Sequence, residues 1–361
     1  MYISSLTLNN FRNYEAETIE FSPLTNLIYG DNAQGKTNIL EAVCLFSQGR
    51  SHRAKTDREL IRFGNDFANL SIDFHDMSRD YNAKLRLVKN GKKSIVINHV
   101  RITKLSMLMN YLNVVMFSPE DLELVKGSPS CRRRFIDSAI SQLYPGYLVN
   151  LIDYNRALMQ KNSLLKTIRS GGRNAAAMLD VWNAQLAAAG TKIMQYRQKS
   201  IALLNGFAAN IQNEISGEKL VIEYNPSVKS EEITEEEFEK YLASRAEREI
   251  DMASAQYGIQ RDDITITIDG REARVFGSQG QQRTAALSLK IAQADYIRSI
   301  KDEYPVLLLD DILSELDVSR RMYLSEKIKN KQVLITSTDT DLKTDTHSTK
   351  LFRVENGKII Q

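Results

Sequence analysis

At 361 residues, 42% hydrophobic and 26% charged, the chain is long enough for one large core or two modest ones; a formal charge of +3 leaves any attraction to a polyanion to the local distribution of charge. Two cysteines, Cys44 and Cys131, exclude a disulfide framework, and neither stands in a Cys-x-x-Cys or Cys/His pattern, which favours a reducing cytosol. The opening MYISSLTLNNFRNYE has no basic flank before an apolar core, and no apolar run approaches the roughly 20 residues a bilayer needs, so the expectation is a cytoplasmic protein, neither exported nor membrane-spanning.

Near the start, an apolar strand, NLIY, leads into Gly30-Asp31-Asn32-Ala33-Gln34-Gly35-Lys36-Thr37, and a helical stretch, NILEAVCLFS, follows. That is the strand-loop-helix context a phosphate loop requires. The glycines let the backbone curl until several N–H groups point at a polyphosphate. Lys36 adds a point charge, Thr37 offers a hydroxyl to Mg²⁺, and the helix N-terminus adds its dipole. The expected cofactors are ATP and Mg²⁺.

Further on, Leu70, Ile72 and Phe74 alternate with polar residues, and KLRLVKNGKKSIVIN reads as a hairpin turned at Asn90-Gly91. From about Ser128 to Gly217 strand signals and Pro are scarce, which predicts helices. The segment from Lys126 to Lys199 carries twelve Lys and Arg against Asp137, Asp153 and Asp180. Such a polarised charge suits a nucleic-acid backbone, with Arg132, Arg133, Arg134, Lys161 and Lys166 as candidate contacts. The same residues could be ordinary solvated helix positions, and Arg132 to Arg134 could equally hold the insertion against the core. Tyr144, Tyr147, Tyr154 and Trp182 read as core more than as base-stacking platforms. The acidic SEEITEEEFEKY, from Ser230, reads as a surface helix or linker.

In the last third, Ile264, Ile266 and Ile268 alternate with polar residues up to a turn at Asp269-Gly270, and VLLLD and VLIT are short apolar runs typical of doubly buried strands. The first of these delivers Asp310 as a ligand for the magnesium of the phosphate loop, with Asp311 next to it to orient or deprotonate the attacking water. The simplest organisation is one α/β domain built from both chain ends, 1–125 and 246–361, around a mostly helical arm at 126–245. His52, His75, His99 and His347 show no ligand spacing.

Lys36 and Asp310 are separated by most of the chain, a spacing that resembles the ATP-binding-cassette class. In that class a signature loop precedes a helix shortly before the magnesium aspartate. Here GSQGQQRT occupies that place, with Ser278, Gln279, Gly280 and Gln281 aligned to the signature; an ordinary helix cap on Ser278 is the competing reading. The resemblance implies that these residues face the nucleotide of a second subunit and that SELD, Ser314 to Asp317, crosses the interface between copies.

NNFRNY, FSPEDLELVKGSPSCRRRFID, SQGQQRT and LLLDDILSELD together resemble the RecF family of bacterial DNA replication and repair proteins. That resemblance implies an ATPase head of the cassette type with an inserted arm. It also implies an ATP-dependent homodimer that closes around double-stranded DNA, including single-strand/double-strand junctions, and works with RecR and RecO in loading recombinase. Arg12 is similar to the basic residue that reaches the nucleotide phosphates in chromosome-structure ATPases, and a plain surface arginine is its rival. There are departures. GIQRDD carries Ile259 and Gln260 where the family has Pro and His, Asp311 stands where cassette ATPases usually have Glu, and ITSTDT lacks the switch histidine, so slow hydrolysis is expected. A transporter's energising subunit is the alternative, but it would need a coupling surface for membrane helices. An insertion this short, without sustained heptads, excludes a full-length coiled-coil ATPase, and a small-molecule P-loop kinase would not need the signature loop.

Overall fold

The computed structural model describes residues 1–171, 178–229, 234–338 and 349–360. Arg173 of the basic segment, Ser230, the end of ITSTDT and His347 lie outside the described residues. The chain forms two compact units. The first comprises Met1–Leu122, Glu214–Gly217 and Ala286–Gln361, and the second Glu123–Asn213 and Glu218–Ala285.

Two six-stranded sheets build the first unit. One is antiparallel, in the order β2-β1-β4-β5-β6-β7, from β1 (Tyr2–Phe11), β2 (Tyr14–Glu20), β4 (Phe67–His75), β5 (Asp80–Val88), β6 (Ser94–Ile97) and β7 (Val100–Ile102). Its strands alternate buried and solvent-facing residues, as a sheet covered on one face must, and β5 and β6 form the expected hairpin around Asn90-Gly91. The other sheet runs β15-β14-β3-β13-β12-β8 and is parallel apart from its last pair, β14 (Thr349–Glu355) and β15 (Lys358–Ile360). Its centre is β3 (Thr25–Tyr29), β13 (Val333–Ser337), β12 (Val306–Asp310) and β8 (Val114–Phe117). VLLL and VLIT are buried throughout because both faces of this sheet are covered. β3 from the first chain end lies between β13 and β14 from the last, so the two ends fold as one sheet. The helix Lys36–Gln48 packs an almost continuous buried run, Ile39 to Phe46, into the shared core.

The second unit is mainly helical, as expected for the insertion: helices Pro129–Leu143 and Pro145–Arg169 each start on a proline, whose missing N–H costs nothing there. The helix Leu179–Ser216 follows, 38 residues or about 57 Å long. The unit does not end at residue 245. β9 (Leu220–Asn225), β10 (Asp263–Ile268) and β11 (Arg271–Glu272) form a separate three-stranded sheet inside it. The strands read from Ile264 onwards thus belong with the arm, because their hydrogen-bond partner is β9, a strand within the arm expected at 126–245.

Burial corrects two of the DNA-contact candidates. Arg132 is 5% exposed and its guanidinium forks onto Asp263 at 2.7 and 2.8 Å. Lys161 and Glu249 are both fully buried, 2.6 Å apart. Burial pushes the Lys161 ammonium below its ordinary pKa and the Glu249 charge opposes that. Neither cation is on a surface, for the physical reason that each has an internal carboxylate partner. Arg133 donates to the Asp262 carbonyl at 2.7 Å, while Arg134 and Lys166 are exposed. Beside them, buried Arg197 bonds Asp137 at 2.8 Å and Asp262 at 2.9 Å, and Tyr147 and Tyr224 donate to the same two carboxylates. Tyr147 and Tyr154 are core residues, and Tyr144 and Trp182 are half-buried.

Removing one member of a buried ion pair strands the other, at a cost of about 3–5 kcal/mol. Lys161→Met should therefore lower unfolding stability in urea by that order, whereas the double change Lys161→Met with Glu249→Gln, which removes the stranded charge and keeps the oxygen that accepts from the Gln256 and Tyr257 N–H groups, should restore most of it. A single variant as stable as wild type would contradict the pair's role.

Candidate nucleotide site

The loop after β3 owes its path to backbone that only glycine accepts easily. Gly30 has φ +149°, and a Cβ there would lie 2.3 Å from the Val354 carbonyl oxygen; Gly35 has φ +117°, and a Cβ would lie 2.6 Å from the Asn13 amide. The loop is gripped from both chain ends. On one side Asn13 Nδ2 donates to Gln34 O at 2.7 Å, its Oδ1 accepts from Asn38 at 2.8 Å, and the Tyr14 hydroxyl donates to Gly35 O at 3.1 Å. On the other, the β14–β15 turn donates two backbone N–H groups to Gln34, from Asn356 to Oε1 at 2.6 Å and from Gly357 to the carbonyl at 3.1 Å. Asp31, Asn32 and Ala33, at the tip, are exposed.

Lys36 is buried under this loop and donates to the carbonyls of Gly30 at 2.5 Å and Asp31 at 2.8 Å. Two of its three N–H donors are so engaged. Burial pushes its pKa down, against the charges of Asp311, Asp31 and Asp310. Thr37 Oγ1 donates to Asp310 Oδ1 at 2.8 Å, and Thr336 Oγ1 donates to the same oxygen at 2.7 Å. The Asp311 N–H in turn bonds Thr336 Oγ1 at 3.0 Å. A continuous chain thus links Thr37, Asp310, Thr336 and Asp311. Asp311 leaves the strand in a left-handed conformation, φ +51°, with Ser314 donating to its carbonyl at 2.7 Å. The Thr37 hydroxyl and the Asp310 carboxylate form an all-oxygen donor set suited to a hard cation such as Mg²⁺, which keeps waters in its remaining positions.

Arg12, at the β1–β2 turn with φ +54°, is engaged within the protein. It forks onto Glu41 at 2.8 Å through both Nε and Nη2, and Nη1 donates to the Glu59 carbonyl at 3.0 Å. Glu41 is wholly buried. Burial acts to raise its pKa, and hydrogen bonds from Arg12 and Ser51 outweigh that, holding the carboxyl below its usual range. Two of the five guanidinium N–H groups of Arg12 lie outside these three bonds.

The signature segment belongs to the second unit. Ser278 N–H donates to Gln281 Oε1 at 2.8 Å and Gln281 N–H to Ser278 Oγ at 3.2 Å, a reciprocal capping box opening the helix Gln279–Lys301. The helix-cap reading of Ser278 therefore holds. It leaves Ser278 and Gln279 exposed at a helix N-terminus, where anions are favoured. Gln281 also donates to Glu218 at 2.9 Å. In GIQRDD, Ile259 is buried, and the half-buried Gln260 accepts from the Tyr154 hydroxyl at 2.5 Å and donates to the Tyr257 carbonyl at 2.7 Å, so both departures from the family pattern are held within the fold.

Sequence reasoning missed Glu41, Thr336 and the Asn356-Gly357 turn. The signals were a lone acid in an otherwise apolar helix, a hydroxyl in a buried strand and an Asn-Gly dipeptide near the chain end. None of the three says by itself that it serves the phosphate loop.

Comparison with known proteins fits this geometry. Residues 2–360 match the RecF/RecN/SMC N terminal domain family. A curated relative from Clostridium perfringens (strain SM101 / Type A), the DNA replication and repair protein RecF, is 43% identical over 363 residues, covering 99% of each chain. Two solved structures of the recombination mediator protein RecF in the RecFOR pathway, RecF-ATPrS and RecF-ATP, superpose with TM-scores of 0.93 and 0.91; each is 34% identical and covers 99% of this chain and 97% of the other. With the glycine-shaped loop, the Thr37–Asp310 contact and the strand order in hand, the conclusion is that this chain belongs to the RecF family of DNA replication and repair proteins.

Proposed function

We propose that the protein is an ATP-gated DNA-binding clamp of recombinational repair and replication restart. The observation that carries this reading is the hydrogen-bonded chain from Thr37 through Asp310 and Thr336 to Asp311, which joins the two chain ends around one candidate site. The backbone of Gly30 to Gly35 and Lys36 hold the ATP phosphates, Thr37 and Asp310 hold Mg²⁺, and Arg12 reaches toward the phosphates with the donors that Glu41 leaves over. Mg²⁺ neutralises charge on the phosphate oxygens when bound. Asp311 orients the attacking water as a weak general base; it is one methylene shorter than Glu, which suits a switch that hydrolyses slowly.

Ser278, Gln279, Gly280 and Gln281 complete the site of a second copy, so ATP joins two chains and closes them on double-stranded DNA, including gapped junctions. The exposed helix N-terminus at Ser278 supports that reading, because an anion bound there gains from the helix dipole. In this reading the protein works with RecR and RecO to load recombinase, in keeping with its relatives' place in the RecFOR pathway. Among the described residues no helix is long and apolar enough to cross a membrane.

Three outcomes check this. Lys36→Met should abolish ATP binding in calorimetry, and retained micromolar binding would contradict the loop's role. Ser278→Arg should leave ATP binding by the single chain intact yet prevent ATP-induced dimerisation in sedimentation; a variant that still dimerises would refute the split site. Asp311→Asn should leave ATP binding in place and lower the hydrolysis rate by about 10²-fold or more, the usual contribution of a general base; an unchanged rate would remove Asp311 from the chemistry.

A further inference from the structure

The arm was the expected DNA surface, but its buried cations Arg132, Lys161 and Arg197 are neutralised by internal carboxylates. A different part of the chain carries unpaired positive charge. From Tyr81 to Pro119 there are seven Lys and Arg and no Asp or Glu. The charges of this segment begin in β5 and run through β6 and β7 of the antiparallel sheet of the first unit.

Strand register places the charges. Thr18, Thr7, Ser71, Lys84, Val96 and Arg101 are successive cross-strand partners in one row across all six strands. Asn9, Asn69, Arg86 and Ser94 form the next row. All of these residues lie on the face that the buried Leu70, Ile72, Ala83 and Leu85 turn away from. Lys84 and Arg101 are two strands apart, about 10 Å. Lys84, Arg86, Lys92, Arg101 and Lys104 form no ion pair among the described residues, whereas Lys89 and Lys93 are paired with Asp66 and Asp57. Arg86 is held by a neutral partner instead, its guanidinium 4.9 Å from the centroid of the Phe67 ring. That contact orders the side chain without cancelling its charge.

We infer that this sheet face, centred on Lys84, Arg86 and Arg101, is a surface that grips the phosphate backbone of duplex DNA. The inference rests on the DNA-clamp reading and gives that clamp a surface other than the arm. Lysine and arginine interspersed with Thr, Ser and Asn are the side chains that position a duplex through its phosphates, and these two rows carry no Asp or Glu to repel it. The same sheet bounds the grip. Toward the other end of β4 and β5 the row Ser5–Asp73–Asn82 and the neighbouring Glu20 and Asp80 turn the face acidic, so the backbone tracks across the Lys84–Arg86 end only.

The test is duplex binding by fluorescence anisotropy with ATP and Mg²⁺ over a range of salt, comparing wild type with the double variant Lys84→Glu, Arg101→Glu. ATP binding is measured alongside to show that each variant is folded. Loss of two phosphate contacts should make the slope of log K against log salt shallower by about two and weaken binding at low salt. Should charge reversal prevent folding, Lys84→Gln with Arg101→Gln reads the same shift. If wild type binds duplex and either folded variant keeps both its affinity and its slope, the surface is wrong, and more plainly so if Arg134→Glu with Lys166→Glu carries the shift instead. A wild-type protein with no salt-dependent duplex binding would refute the clamp reading itself.

Discussion

The architecture depends on one contact between distant parts of the chain, the 2.8 Å hydrogen bond from Thr37 to Asp310. Thr37 opens the helix after β3, and Asp310 closes β12, 273 residues later. The two can meet only if β3 and β12 lie in the same sheet with the same direction and register. The parallel order β3-β13-β12 provides that, with Thr336 of the intervening strand bonded to Asp310 as well. Everything between the two ends can then be an insertion, since the sheet needs only that the chain return. A helical arm with its own small sheet meets that condition because it carries an independent buried ionic network around Arg197.

The loop itself shows how a polar site is held open to solvent without becoming loose. Gln34 accepts bonds from Asn13, Asn356 and Gly357, so two turns from opposite chain ends fix the loop while its tip stays exposed. Lys36 is buried with carbonyl partners. In the proposed reading this cationic side chain exchanges carbonyl oxygens for phosphate oxygens, with a metal ion entering alongside the phosphates.

Local patterns were legible because they are written in adjacent residues. The glycine spacing before Lys36, the alternation in β4, β5 and β10, the Asn90-Gly91 and Asp269-Gly270 turns and the apolar runs ending at Asp310 each appear where the sequence places them. What failed depends on partners far away in the chain. The positive charge of the arm does not say which cations face water, and Arg132 and Lys161 are taken up by Asp263 and Glu249. The arm's C-terminal limit was misplaced for the same reason: β10 pairs with β9, and a pairing between residues 225 and 263 leaves no trace in either strand's own alternation. The basic stretch from Tyr81 to Pro119 was in plain view but hidden by the modest charge of the whole chain, and only the strand register shows that its cations share a face.

In the proposed split site each ATP is enclosed by the phosphate loop of one copy and the Ser278 loop of another. Mixing Lys36→Met protein with Ser278→Arg protein tests it most directly, since each chain then supplies the half of one site that the other lacks. Neither variant alone should form a dimer with ATP and Mg²⁺ in sedimentation, and the mixture should. A mixture that sediments as single chains, or a Ser278→Arg protein that pairs unaided, would contradict it.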